Sequence, residues 1–278
     1  MTPLALPPIR EALTEHGLLA KKSFGQHFLL DLNITRKIVR LAGIEPGQGV
    51  IEVGPGPGGL TRALMEAGAK VTAIEMDPRF IPLLKELDEA APGLLTIVQN
   101  DALKVSESEL SVGPIAIVAN LPYNVGTALL LKWLTGPWQP TSMTLMFQKE
   151  VAERITAKVG DDAYGRLAVI VQATAQARIV MDLPARAFTP PPKVASAVVH
   201  LVPYTDRPGP SLLTALEKTT QAAFGQRRKM LRSSLKTLGG TALCEAAGID
   251  PDVRAETVDI YGFLALARQV QSGSFSKV

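Results

Sequence analysis

Residues 49–59 read GVIEVGPGPGG, and the fold turns on how they are read. Val50, Ile51 and Val53 make an apolar run with β-branched side chains, which favour a strand. Gly54, Gly56 and Gly58 then permit a tight turn in which backbone approaches a ligand closely. Thr61–Ala67 continues as a helix, so the predicted unit is strand, glycine turn, helix. A helix N-terminus ordinarily favours an anion. The usual Gly-rich fingerprint is G-x-G-x-x-G; here an acid, Glu52, precedes the loop, prolines lie inside it, and no lysine follows, which excludes a P-loop. Glu52 suits a cationic or hydroxyl-rich ligand better. Taken alone, the stretch also reads as a tight strand–helix connection with no ligand.

The flanking sequence narrows this. KVTAIEMD (70–77) is a second strand ending in Glu75, where an acid can accept from two ribose hydroxyls. LLTIVQND (94–101) is a third, ending in Asp101, and PIAIVANLPY (114–123) a fourth, ending in Asn120. Four apolar runs separated by helix-length segments predict a parallel sheet whose carboxyl ends line one crevice. SMTLMFQ (142–148) adds a fifth strand. ARIVMDLP (177–184) and SAVVHLVP (196–203) add two more, joined by ARAFTPPPKV, and suit an antiparallel edge. LAVIVQATA (167–175) reads as a strand or a buried helix, since periodicity cannot separate them over so short a run.

Towards the N-terminus, IREALTEHGLL (9–19) is a short amphipathic helix. NITRKIVRLAG (33–43) is another, capped by Asp31 or Asn33. Lys21, Lys22, Arg36, Lys37 and Arg40 face few acids there and read as a solvated surface or a cationic face. YTDRPGP (204–210) is a linker, giving a domain at 1–204 and a helical one at 205–278. The tail divides into LLTALEKTTQAAFG, QRRKMLRSSLK, TALCEAAG and RAETVDIYGFLALARQV.

Composition sets bounds. The chain has 278 residues, 46% hydrophobic, with one cysteine and a net charge of +3. A lone Cys244 excludes an internal disulfide framework and a cysteine metal cluster, and fits a reducing, cytoplasmic compartment. No apolar run reaches membrane-spanning length, and the three histidines show no ligand spacing, so neither a membrane nor a metal is expected. Residues 211–278 hold nine Lys/Arg against six Asp/Glu and so carry the whole excess. QRRKMLRSSLK, with Arg227, Arg228, Lys229 and Arg232, reads as a solvated helix face or as phosphate contacts.

Asn120-Leu121-Pro122-Tyr123 is the candidate chemical site. An exocyclic adenine amine is a poor nucleophile because its lone pair is shared with the ring. An amide oxygen from Asn120 and the carbonyl of Leu121 can accept both N–H bonds and turn that lone pair outward. Pro122 stiffens the turn, and Tyr123 offers a ring to stack on the base. No strong base is required, so catalysis would come mainly from alignment. Phe188, before Thr189-Pro190-Pro191-Pro192-Lys193, is a second candidate ring. The plain alternatives are a strand-end turn and a phenylalanine tucked into the core.

These stretches resemble the ribosomal RNA adenine dimethyltransferases, most closely those acting on small-subunit 16S rRNA. The matching segments are FGQHFL (24–29), EVGPGPGGLT (52–61), Glu75, NDAL (100–103), NLPYNVGT (120–127), QKEVAERI (148–155), YGRLAV (164–169), FTPPPKVASAVV (188–199) and FGQRRKMLRSSL (224–235). The resemblance implies an α/β fold, a class I (Rossmann-like) seven-stranded methyltransferase sheet followed by a small all-helical domain. It implies S-adenosyl-L-methionine as cofactor and, as target, two adjacent adenosines in the 3′-terminal hairpin loop, each taken to N6,N6-dimethyladenosine. Gln26 and the backbone around His27–Leu29 would border the cofactor, with Gly54, Gly56 and Gly58 on its amino-acid and ribose side. Glu75 would meet its ribose hydroxyls and Asp101 its adenine amine; Glu52, Met76 and Ala102 would also border the cofactor, with Asn120 shared between cofactor and target. Asn120–Tyr123 and Phe188 would hold the target adenine, and the 227–232 cations would meet RNA. The implied partner is the small ribosomal subunit, met by a monomeric chain. The resemblance also favours helix for LAVIVQATA. His27 stands where Asn is common, and Pro57 where a larger apolar residue is frequent. Alternatives are a resistance-type methyltransferase of large-subunit rRNA, a non-catalytic assembly factor, and a small-molecule methyltransferase.

Overall fold

The computed structural model describes residues 4–18, 27–110 and 113–273. Among the described residues nine strands form: β1 (Phe28–Leu29), β2 (Gly49–Val53), β3 (Lys70–Glu75), β4 (Leu95–Gln99), β5 (Ile115–Asn120), β6 (Ser142–Gln148), β7 (Ala175–Leu183), β8 (Phe188–Thr189) and β9 (Ser196–Pro203). Seven of them make one sheet in the order β4-β3-β2-β5-β6-β9-β7. The β4-β3-β2-β5-β6 run is parallel, and β9 lies antiparallel to β6.

Burial explains the strand patterns. Val50, Ile51 and Val53 of β2 and Ile115, Ile117 and Val118 of β5 are all buried. Strands covered on both faces read as continuous apolar runs rather than alternations. β4 and β7 end the strand order and have far more exposed residues. The strand order reverses at β2: the chain runs through β3 and β4 on one side, then returns to β5 and β6 on the other. Such a switch point opens a crevice at the carboxyl ends of the strands.

The chain divides into two compact units. The first comprises residues 1–133, 138–152 and 178–202 and contains most of the sheet. Its helix Leu32–Ala42 is capped by Asp31, which accepts from Asn33 N at 2.8 Å, and is closed by Gly43. Arg36 is not a free surface cation, because its guanidinium grips Glu66 at 2.7 Å. The second unit comprises residues 134–137, 153–177 and 203–278, so the C-terminal helices share it with Arg166–Thr174. LAVIVQATA is therefore helical up to Thr174, and its last residue, Ala175, opens β7. Its Ala168 and Val169 pack in one core with Leu216, Leu243, Cys244, Phe263 and Leu266.

Two readings of the tail need correction. QRRKMLRSSLK is not one helix: residues 226–229 form a turn, Leu231–Ser234 is α-helical, and Lys236 opens a separate 3-10 turn. The last helix starts at Ile260 rather than near Arg254, because Asp259 caps it by accepting from Gly262 N at 2.8 Å.

Candidate active site

The glycine turn is built as its sequence requires. Gly54, Gly56 and Gly58 have φ of 67°, 53° and 81°, the left-handed region that side chains resist. Space is equally demanding at two of them. A Cβ on Gly58 would lie 2.3 Å from Leu87 Cδ1, and one on Gly56 would lie 3.2 Å from the Phe28 ring. β1 thus packs over the turn. Phe28 also meets Phe80 edge-on at 5.5 Å between ring centroids.

The acids cluster around this turn. Glu75 ends β3 with both carboxylate oxygens engaged: Oε2 accepts from Gly56 N at 3.0 Å and Oε1 from Asp77 N at 2.8 Å. Burial raises its pKa above the usual carboxylate value, and these amides oppose the rise. Two ligated oxygens still leave acceptor capacity for ribose hydroxyls. Met76, beside it, is an apolar side chain left 68% exposed. Asp101 follows β4 and is half-buried; its Oδ1 accepts from Leu103 N at 2.9 Å. Ala102 is likewise half-buried.

Glu52 is only 1% exposed, and its Oε2 has no hydrogen-bond partner. Burial pushes its pKa up to about 8; the Glu75 charge adds to this and Thr61 opposes it. Because the unfolded chain ionises Glu52 at ordinary carboxylate pH while the folded chain keeps the proton, ionisation of this group lowers stability as pH rises towards about 8. Relative to Glu52→Gln, the wild type should lose stability from about pH 5 to 8 and then level off. Urea titrations across that range check this, and a pH-independent difference would reject it. A buried carboxyl with one unpartnered oxygen, which ionises once a cation lies beside it, fits, next to a ribose-type acid, a ligand carrying fixed positive charge and a sugar. S-adenosyl-L-methionine is such a ligand.

The Asn120–Tyr123 motif meets the turn from β5. Asn120 Nδ2 donates to His27 O at 3.3 Å, which leaves Oδ1 as the acceptor. Leu121 is buried, while Pro122 is exposed and receives the amides of Val125 and Gly126 on its carbonyl. The Tyr123 hydroxyl shares a 2.7 Å hydrogen bond with Ser196 Oγ. Burial raises the phenol pKa, with Ser196 opposing. The His27 ring lies 5.8 Å from the Tyr123 ring, and its Nδ1 is 2.8 Å from Pro190 O. Phe188 is 3% exposed and belongs to the same core as Leu29, its partner in the β1–β8 ribbon.

The structure therefore brings together residues 27–29, 52–58, 75–76, 101–102, 120–123 and 188. Gln26 lies outside the described residues, as do Lys21 and Lys22. Arg227, Arg228, Lys229 and Arg232 belong to the other unit. There, two of the four are answered by acids: Arg232 Nη1 is 2.7 Å from Asp252 Oδ1 and Arg227 Nε is 3.8 Å from Glu256 Oε2. Arg227 also donates to Asp162 O at 2.6 Å. Arg228 and Lys229 are exposed, with no acid beside them among the described residues. Sequence reasoning missed the Ser196 hydroxyl and the Phe28 ring. Both lie inside motifs quoted above, but neither has a residue type that announces a role. A recess of about 740 Å³ lies at the opposite, amino end of β2–β5, lined by Gly49, Lys70, Thr96 and Ile115 among others. It is not the site described here. Among the described residues no His/Cys/Asp/Glu group suits a metal, and no helix is long and apolar enough to cross a membrane.

The sheet and its helical companion define a Rossmann-like, class I methyltransferase fold. The family model for ribosomal RNA adenine dimethylase matches residues 17–272, and the chain belongs to that family. It is 70% identical over 263 residues to ribosomal RNA small subunit methyltransferase A of Phenylobacterium zucineum, covering 94% of this chain and 92% of the relative. With the Caulobacter vibrioides protein of the same name it shares 66% over 256 residues, 92% of this chain and 99% of the relative. Among solved structures it is similar to a dimethyladenosine transferase from Plasmodium falciparum, with a TM-score of 0.71 at 26% identity over 86% of this chain and 96% of the other. It is also similar to the 23S rRNA methyltransferase ErmE, with a TM-score of 0.66 at 26% identity over 87% and 99%. Family membership implies use of S-adenosyl-L-methionine.

Proposed function

We propose that this chain transfers methyl groups from S-adenosyl-L-methionine to N6 of two adjacent adenosines in the 3′-terminal hairpin loop of small-subunit 16S rRNA, giving N6,N6-dimethyladenosines during ribosome biogenesis. The observation that carries this reading is the convergence of Asn120–Tyr123 on the acid-lined glycine turn. The 70% identity to a relative named for the small subunit supports that choice of substrate. When bound, the cofactor supplies an electrophilic methyl group. Glu52 would answer its positive charge, Glu75 its ribose hydroxyls, and Asp101 its adenine amine.

The target adenine must leave its stack to reach the crevice. Asn120 Oδ1 and Leu121 O then accept the amine hydrogens and turn the nitrogen lone pair towards the methyl donor. The new N–C bond makes the amine proton acidic, so it leaves to solvent without a dedicated base. Tyr123 serves as a platform rather than a proton carrier, since its hydroxyl is engaged by Ser196. Phe188 takes a stacking role only by uncovering a face that its core packing now hides.

Glu75→Ala should weaken S-adenosyl-L-methionine binding by about 1–3 kcal/mol, the worth of hydrogen bonds to a charged group. Calorimetry on the folded variant checks this, and unchanged affinity would remove Glu75 from the site. For docking, the free cations matter most. Replacing Arg228 and Lys229 with Gln should weaken RNA binding and lower the slope of log K against log salt by up to about 2, leaving cofactor affinity alone. The same change at the acid-paired Arg227 and Arg232 should lower it less. Equal slopes in all three proteins would return the stretch to a solvated surface.

Label transfer from S-adenosyl-L-methionine to under-methylated small subunits, large subunits and free rRNA, with the modified base identified, tests the whole reading. Dimethyladenosine in small-subunit rRNA is expected. Label confined to large-subunit rRNA would overturn the substrate assignment.

A further inference from the structure

Lys132 lies on the helix Gly126–Thr135, which starts just beyond the Asn120–Tyr123 motif. Its Nζ donates to Ala102 O at 2.8 Å, to Val105 O, and to Glu107 Oε1 at 2.8 Å. All three ammonium hydrogens are thus used. Glu107 is buried, its side chain only 5% exposed, and the same Oε1 also accepts from the buried Trp133 Nε1 at 2.6 Å. Ala102 and Val105 belong to the turn that Asp101 opens. Within that turn Asp101 Oδ1 accepts from Leu103 N at 2.9 Å, and Asp101 O from Lys104 N at 2.9 Å. A cation that grips two carbonyls of one short turn fixes the path of its backbone, and with it the aim of the carboxylate the turn carries.

We propose that Lys132, backed by Glu107, is a positioning residue that aims Asp101 at the adenine amine of the cofactor. This rests on the reading above in which Asp101 receives that amine. Lys132 touches no ligand itself. A plain structural anchor and a positioning residue differ in one respect. Loss of an anchor weakens every ligand of the crevice alike. Loss of the positioning residue removes only the part of the affinity that the amine supplies.

The test is a binding cycle read by calorimetry, with no turnover involved. The two probes are S-adenosylhomocysteine and its analogue carrying purine in place of adenine, which lacks only the exocyclic amine. In the wild type, removing the amine should weaken binding roughly tenfold or more, as for a hydrogen bond to a charged group. In Lys132→Met, S-adenosylhomocysteine should weaken by a similar factor and the purine analogue hardly at all, so the penalty for losing the amine falls towards one. Glu107→Gln keeps Lys132 on its two carbonyls and should show an intermediate penalty. It also provides the measurement if Lys132→Met does not fold. A full penalty retained in the folded variants overturns the proposal and leaves the Asp101 reading intact. No penalty in the wild type overturns the Asp101 reading itself, and the proposal falls with it.

Discussion

Asn120→Ala should lower the rate of methyl transfer on the order of 100-fold or more at saturating RNA and cofactor, while binding of either changes far less. The reason is the division of labour in the site. Capture of a flipped base draws on ring stacking, worth roughly 1–3 kcal/mol per base. The barrier to transfer depends instead on whether the amine lone pair points at the methyl donor. Asn120 is held for that task. Its Nδ2 is committed to the His27 carbonyl at 3.3 Å, so the amide presents Oδ1 as an acceptor. Alanine removes both the acceptor and the tether between β5 and the segment that precedes β1. Asn120→Asp keeps an acceptor but loses the donor to His27 O, and should recover only part of the rate. Single-turnover assays that resolve monomethyl from dimethyl product make the comparison. The second transfer should suffer at least as much as the first, because the monomethylated amine has one hydrogen left with which to be oriented. If Asn120→Ala transferred both methyl groups at the wild-type rate, the amine-orienting site would be wrong.

What could be read from sequence divides along a physical line. The glycine turn, the strand-end acids and the Asn-Leu-Pro-Tyr motif were legible because each joins a period or a turn chemistry to a residue type with few other uses. The seven-stranded sheet was legible as short apolar runs bounded by turn residues, although β4 and β7 are partly exposed. The β1–β8 ribbon was not, since pairs of residues such as Phe28-Leu29 and Phe188-Thr189 have no period to detect. Contacts between distant positions were also silent. Nothing near Arg232 or Arg227 in the sequence signals Asp252 and Glu256, so the run of cations looked freer than it is. LAVIVQATA was undecidable from its own residues. Its helix follows from packing with Leu216 and Phe263, which one window of sequence does not contain. Tyr123 was read only as a ring, and its hydroxyl partner Ser196 lies at the start of a strand read only for its apolar side chains.

Glu66→Ala should destabilise the protein by about 3–5 kcal/mol, the cost of stranding buried charge. The whole helix Gly59–Glu66 is buried, including Arg62 and Glu66 themselves. Glu66 accepts from Arg36 Nε at 2.7 Å, from Arg62 Nε at 3.3 Å and from Leu4 N at 3.3 Å. Arg62 in turn donates to Pro7 O at 2.9 Å, Leu4 O at 2.8 Å and Leu6 O at 3.2 Å. One carboxylate thus balances two guanidinium groups and holds residues 4–7 against the helix that starts at the cofactor turn. Burial alone would raise the pKa of Glu66, but the hydrogen bonds from Arg36, Leu4 and Arg62 outweigh it and the net shift is downward. The sign of the pH effect follows. The unfolded chain takes up the proton first as pH falls, so this group's contribution is complete above the ordinary carboxylate range and fades as pH falls through the depressed folded value. Glu66→Gln should cost less than Glu66→Ala, since an amide oxygen still accepts, and its deficit relative to wild type should shrink in acid. Urea unfolding at neutral and acid pH measures both. A loss below about 1 kcal/mol for Glu66→Ala would mean that the backbone carbonyls of residues 4–7 suffice to hold Arg62, and that the carboxylate is dispensable to the clamp.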